Sequence, residues 1–145
     1  ALPILSEIRK EGGHFTPYEI VEGEEYMNDN HKAHFANILQ NWKNELLEEA
    51  DRTVHHMQDE AANFPDPNDR ATQEAEFSME LRTRDRERKL LKKIDESIET
   101  LEADDYGYCE TCGVEIGIRR LEARPTASLC IECKELDEIR EKQRA

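Results

Sequence analysis

Apolar residues recur at spacings of three and four at Phe35, Leu39, Trp42, Leu46, Ala50, Val54, Met57 and Ala61, a single stripe along a long helix that begins near His31. Lys, Glu, Asp, Gln and Asn fill most of the other faces, as a solvated helix requires. The stripe stops in the run from Ala61 to Asp69, where Pro65 and Pro67 remove backbone donors and fix φ, so a turn is predicted there. Asp69 is the predicted N-cap of a second helix, with Glu74 and Glu76 near its positive end. The second stripe runs through Ala71, Ala75 and Met79 and resumes at Leu90, Ile94, Ile98 and Leu101, flanked by Phe77, Leu81 and Leu91. The charged stretch from Arg82 to Lys89 interrupts it.

Two long helices with matching stripes and a short connection predict an antiparallel coiled-coil hairpin, each stripe buried on the other. About 30 residues per arm at about 1.5 Å per residue would make it roughly 45 Å long. A larger bundle is the alternative, but no third helix of equal length exists to complete it. Residues 1–30 carry Pro3, Gly12, Gly13, Pro17 and Gly23, which suggests a short helix near Leu5 to Lys10 and then extended chain.

The predicted organisation is therefore an N-terminal segment (1–30) packing on a globule, a hairpin (31–105) with its tip near 61–71, a cysteine-bearing domain (106–134) and a C-terminal helix (135–145). The predicted fold class is mainly α: a long antiparallel coiled-coil hairpin on a small globular domain with a four-cysteine finger and a C-terminal helix.

Composition agrees with that shape, because 37% of the 145 residues are hydrophobic and 37% are charged, too little apolar material for a thick globule. With 34 acidic against 20 basic residues the formal net charge is −14, which repels a nucleic-acid backbone. No direct DNA binding is expected, and a basic protein surface is the more natural partner. No apolar run approaches the roughly 20 residues that span a bilayer. The stretch from Ala1 to Lys10 lacks the pattern of a secretion signal. A cytoplasmic location and no membrane contact are the expectations.

Cys109-Glu110-Thr111-Cys112 and Cys130-Ile131-Glu132-Cys133 form two Cys-x-x-Cys pairs separated by seventeen residues, the spacing of a four-thiolate zinc site. Each pair aims two sulfurs at one point, and two pairs complete the tetrahedron that Zn2+ accepts. With all four positions filled there is no place for a catalytic water, so the metal would be structural. Gly107 and Gly113 flank the first pair and permit tight turns. Thiol redox chemistry is the alternative, though thioredoxin-like sites need one Cys-x-x-Cys near a βαβ pattern that this chain lacks.

Acidic residues gather at the predicted tip: Asp59, Glu60, Asp66, Asp69, Glu74 and Glu76. They either cap and solubilise a turn or present a charged end to a metal ion or basic loop. Arg82, Arg84, Arg86, Arg88, Lys89, Lys92 and Lys93 form an opposite cluster, which either pairs with the first helix or contacts anionic groups. Arg119, Arg120, Arg124 and Lys134 add a second basic group, and together the two could bind a multiply charged anion. His31, His34, His55 and His56 lack metal-site spacing and are expected at the surface, and Trp42 is expected in the core.

The run from Asp51 to Pro67, Asp51-Arg52-Thr53-Val54-His55-His56-Met57-Gln58-Asp59-Glu60-Ala61-Ala62-Asn63-Phe64-Pro65-Asp66-Pro67, closely resembles the DksA/TraR zinc-finger family of bacterial transcription regulators. The likeness continues through Asp69-Arg70-Ala71, Phe77 to Arg82, Arg84 to Leu90 and Gly113 to Thr126, and spans about Glu24 to Gln143. The resemblance implies a non-catalytic factor, most simply a monomer, that threads its coiled coil into the secondary channel of RNA polymerase. It would destabilise open complexes at ribosomal RNA promoters and act with guanosine tetraphosphate in the stringent response. Asp66, Asp69 and Ala71 match the tip residues needed for that effect, and Arg86 matches a polymerase-binding position. Leu90, Lys93, Arg124 and Lys134 match the guanosine tetraphosphate site.

A Gre-like factor that stimulates transcript cleavage shares the hairpin and is one competing reading. A zinc-ribbon adaptor for an unrelated protein is another. An enzyme is not expected, since no nucleophile, paired base and open metal position can be assembled from these residues.

Overall fold

The computed structural model describes residues 13, 15–62 and 67–144, with the side chains of 60–69 outside that description. Its helices are α1 (Asp29–Ala62), α2 (Pro67–Glu102), α3 (Ile118–Ala123) and α4 (Ile131–Arg144). Two compact units divide the chain: one takes the residues up to Trp42 together with those from Glu96 onward, and the other is Lys43–Asp95.

Asn28 starts α1. Its side-chain oxygen accepts the His31 N–H at 2.9 Å while its carbonyl accepts the Lys32 N–H at 3.0 Å, so an asparagine N-cap satisfies donors that the first turn would otherwise leave open. At its far end α2 closes with Asp104 in the left-handed region, φ 63°. The Asp104 N–H donates to the Leu101 carbonyl and the Asp105 N–H to that of Thr100, the paired bonds of a Schellman cap. Asp104 also pairs with Lys32, an added reason for aspartate at a position that glycine usually fills.

α1 and α2 run antiparallel within Lys43–Asp95. As the α1 partner advances from Lys43 to Thr53 to His56, its α2 partner retreats from Asp95 to Glu87 to Glu80. From α1 the buried residues are Leu46 and Met57, with Ala50 and Val54 half-buried. The α2 stripe follows the predicted one at Leu90, Ile94, Ile98 and Leu101 but departs from it nearer the start of the helix. Ala71, Ala75 and Met79 are exposed, Met79 by 65%, and the inward positions are Gln73, Glu80, Thr83, Glu87, Leu90 and Ile94. A seven-residue repeat links Gln73, Glu80, Glu87, Ile94 and Leu101, so the seam passes straight through the charged stretch.

The second helix also starts earlier than expected. Pro67 is its first residue, a position where proline's missing N–H costs nothing, and Asp69 therefore lies inside the first turn rather than at the N-cap.

The other unit is built round Phe35, Leu39 and Leu121, all fully buried, with Ile38, Trp42, Leu101, Tyr106, Ile116 and Ile118. Trp42 is in the core as expected. Residues 15–28 pack here without regular structure, and the predicted short helix near Leu5 to Lys10 lies outside the described residues. Among the described residues no helix is long and apolar enough to cross a membrane.

Candidate functional site

The first cysteine pair sits on a tight hairpin. Cys109 N–H donates to the Val114 carbonyl at 2.8 Å, Gly113 N–H donates back to the Cys109 carbonyl at 2.9 Å, and Tyr108 and Glu115 form an antiparallel bridge. Gly113 takes φ 79°, which the turn requires. The second pair starts α4. Cys130 precedes the helix, its sulfur receives the Cys133 N–H at 3.5 Å, and its carbonyl receives the Lys134 N–H at 2.9 Å. Glu110 N–H to the Ser128 carbonyl, 2.9 Å, ties the two pairs together.

All four sulfurs lie within 4.8 Å of one another, and those of Cys112 and Cys130 are 3.7 Å apart. Thiolates about 2.3 Å from a tetrahedral zinc would be separated by about 3.8 Å, so the donor set and its spacing suit a metal ion. Cys109 and Cys130 are buried, Cys133 is half-buried and Cys112 is exposed. Backbone N–H groups of Cys112 and Cys130 hold the Cys109 thiol down to about 6, while hydrogen bonding to Cys130 and Cys109 pushes Cys133 up to about 12. Four sulfurs this close cannot all ionise without a cation between them.

Sequence reasoning passed over Tyr26, which braces this centre, and two carboxylates, Glu122 and Glu24, that tie residues 15–28 to the rest of the unit. Tyr26 donates its hydroxyl to the Gly107 carbonyl at 2.7 Å and accepts the Gly117 N–H at 3.0 Å, bracing the chain on both sides of the first pair. Burial pushes the Tyr26 phenol up to about 12. Glu122 is fully buried and accepts from Tyr18 N–H and His34 Nε2, each at 2.8 Å, and from Arg119 at 2.6 Å. Burial alone would raise its carboxyl, but these donors outweigh it and hold it at about 2. Glu24 lies 2.9 Å from His31 Nε2, and that contact holds its carboxyl at about 2 despite opposing desolvation.

His31 and His34 are accordingly not surface residues. The first is 3% exposed and pairs with the half-buried Glu24, while His34 pairs with the fully buried Glu122, roles that spacing alone cannot reveal. His55 and His56 are exposed as expected. Of the second basic group, Arg119 donates to Glu122 and to the Tyr18 carbonyl, and Arg120 donates to the Leu129 carbonyl. Leu90 is half-buried and Lys93 exposed, one turn apart on α2, while Arg124 and Lys134 belong to the other unit.

Arg86 is exposed and donates to the Thr83 hydroxyl at 3.4 Å. Asp85 neutralises part of the basic run through Lys89 and Arg88, which lower its carboxyl. At the predicted tip, Asp66 lies outside the described residues, as does the side chain of Asp69, and Ala71 is exposed on α2.

The family described as DnaK suppressor protein DksA, N-terminal domain, matches residues 31–101, and the prokaryotic dksA/traR C4-type zinc finger matches residues 104–138. The chain belongs to the DksA/TraR zinc-finger family. Within that family it is 69% identical over 129 residues to the RNA polymerase-binding transcription factor DksA of Escherichia coli K12, covering 89% of this chain and 85% of that one. The Haemophilus influenzae DksA is 65% identical over 127 residues, 88% of each chain. The solved DksA2 of Pseudomonas aeruginosa superposes with a TM-score of 0.77 at 39% identity, covering 81% of this chain and 90% of that one. Both halves of the fold, the paired long helices and the four-cysteine knuckles, thus fall under DksA/TraR descriptions.

Proposed function

We propose that this chain is a non-catalytic transcription regulator that binds RNA polymerase and places its helical hairpin in the polymerase secondary channel. The observation that carries the reading is the 69% identity over 129 residues with a DksA described as RNA polymerase-binding. Residues 31–105 form the inserted arm, residues 106–134 a domain stapled by structural Zn2+ on Cys109, Cys112, Cys130 and Cys133, and residues 135–145 a C-terminal helix, with 1–30 packed on the globule. A closed four-thiolate site has no open position for chemistry, so the metal's contribution is to folding.

Asp66, Asp69 and Ala71 form the acting tip, Arg86 contacts polymerase, and Leu90, Lys93, Arg124 and Lys134 receive guanosine tetraphosphate at the interface. Cations grouped round a pyrophosphate supply the charge it needs. The net charge of −14 favours docking on a basic protein surface over DNA, in the cytoplasm, as a monomer.

Transcription from a ribosomal RNA promoter with polymerase, this protein and guanosine tetraphosphate, each omitted in turn, tests partner, effect and effector together. The protein should inhibit, and the nucleotide should deepen inhibition only when the protein is present. Inhibition absent with and without the nucleotide would overturn the reading, and shortened transcripts from stalled complexes would point instead to a cleavage factor.

A further inference from the structure

The hairpin that carries Cys109 and Cys112 closes by a short ladder. Cys109 N–H donates to the Val114 carbonyl and Ile116 N–H to the Gly107 carbonyl, each at 2.8 Å. The next step of the ladder is made by a side chain. The Tyr26 hydroxyl donates to that same Gly107 carbonyl at 2.7 Å and accepts the Gly117 N–H at 3.0 Å. A hydroxyl donates and accepts at once, so a single oxygen joins the two ends of the knuckle.

A strained turn brings Tyr26 to this place. Met27, next in the chain, takes φ 53°, the left-handed region that residues with a side chain rarely occupy. Its N–H donates to His31 Nδ1 at 2.9 Å, and His31 Nε2 in turn lies 2.9 Å from Glu24. Asn28, the residue after it, caps α1. Tyr26 and Met27 are both pressed on Gly107, where an added Cβ would meet the Tyr26 hydroxyl and the Met27 side chain. The Tyr26 ring also meets that of Tyr108, the neighbour of Cys109, edge-on at 5.5 Å. A strained residue persists only where its surroundings hold it, and what is held here is the approach of Tyr26 to the first cysteine pair.

We propose that Tyr26 is a positioning residue for the metal centre: its hydroxyl clamps Gly107 to Gly117, so that Cys109 and Cys112 already face the ion when it binds. The proposal rests on the reading of the four cysteines as a zinc site. Residues that orient metal ligands without touching the metal change its affinity by roughly tenfold or more. The clamp also fastens the knuckle to the root of α1, two residues before its N-cap.

Competition for zinc against a chromophoric chelator, on the zinc-loaded full chain, tests this. Tyr26→Phe keeps the ring and loses only the bridge, so it should yield zinc at roughly tenfold lower chelator concentration than the unmutated chain. Tyr18→Phe, in the same segment, loses a hydroxyl bond to Glu24 at 3.0 Å instead, and should hold zinc as the unmutated chain does. Urea midpoints of both zinc-loaded variants are read alongside, because a merely structural loss lowers midpoint and zinc affinity together in either one. In the unmutated chain the Gly117 amide should exchange slowly with solvent deuterium, its acceptor being that hydroxyl. Unchanged retention in Tyr26→Phe, equal weakening in Tyr18→Phe, or rapid exchange at Gly117 would each sink the proposal and leave the zinc site standing. An unmutated chain that takes up no zinc would sink both.

Discussion

Glu87 of α2 accepts a hydrogen bond from the Thr53 hydroxyl of α1 at a seam position where a coiled coil ordinarily buries an apolar side chain. The same hydroxyl lies 3.0 Å from the Glu49 carbonyl, so Thr53 keeps a partner if the carboxylate is removed. Glu87→Leu therefore replaces a buried, half-satisfied carboxylate without orphaning its neighbour. It should stabilise the protein by about 1–3 kcal/mol, read as a higher urea midpoint with unchanged slope. A lower midpoint would mean that the carboxylate holds the helices together rather than straining them.

Gly107 and Gly113 flank the same cysteine pair and should respond differently to alanine. At Gly107, φ 93°, a Cβ would lie 3.0 Å from both Met27 Cγ and the Tyr26 hydroxyl. At Gly113, φ 79°, it would meet nothing within 4 Å. Backbone strain acts at both, but overpacking only at the first, so Gly107→Ala should cost about 3 kcal/mol and Gly113→Ala about 1. Thermal unfolding of the two variants checks the ordering, and equal losses would remove the steric argument.

The long helices, the cysteine centre and the core Trp42 were legible because each leaves a periodic or spaced signal in the residues themselves. The α2 seam was legible from Leu90 to Leu101 but not before it. Periodicity searches for apolar residues, and between Gln73 and Glu87 the inward positions are polar, so Met79 and Ala75 were the nearest apolar residues on a neighbouring face. His31, His34 and Glu122 were hidden for another reason. Glu122 is 88 residues from His34 and 104 from Tyr18, so only the folded chain shows that the carboxylate is buried and three donors converge on it. At the tip and the basic clusters charge alone favours capping and pairing, and a binding role there rests on the resemblance.

Glu122 gives the protein an acid-sensitive lock. Its folded carboxyl sits at about 2 against an ordinary 4.5, so between those values the unfolded chain binds more protons than the native one. Stability from this group is complete above about 4.5 and is lost as pH falls towards 2. Urea midpoints at pH 5 and pH 3 should drop less in Glu122→Gln than in the unmutated chain, after allowing for the variant's lower starting stability. Parallel falls in both would show that other carboxylates govern the acid transition.

The tip is tested by separating binding from effect. Asp69 lies in the first turn of α2. Asp69→Asn preserves size and hydrogen-bonding capacity while removing charge, so the helix start should survive. Polymerase binding should persist within roughly threefold, as expected for a contact outside the main interface. Inhibition at a ribosomal RNA promoter should be lost. Retained inhibition would show that the aspartate's charge plays no part in the effect.

Metal removal distinguishes a staple from an ornament. A chelator should extract one zinc per chain and release the segment that the four thiolates hold, including the Tyr106 hydroxyl bond to the buried Pro125 carbonyl at 2.7 Å. Near-ultraviolet circular dichroism from Tyr106 and Tyr108 should collapse. Far-ultraviolet signal should fall only modestly, because α3 and α4 contribute 6 and 14 residues against 34 and 36 in α1 and α2. The helical arm needs no metal of its own, since its bonds are internal and its seam is packed helix against helix. Wholesale loss of helicity would make the thiolate centre the keystone of both units, and no spectral change at all would strip it of a structural role.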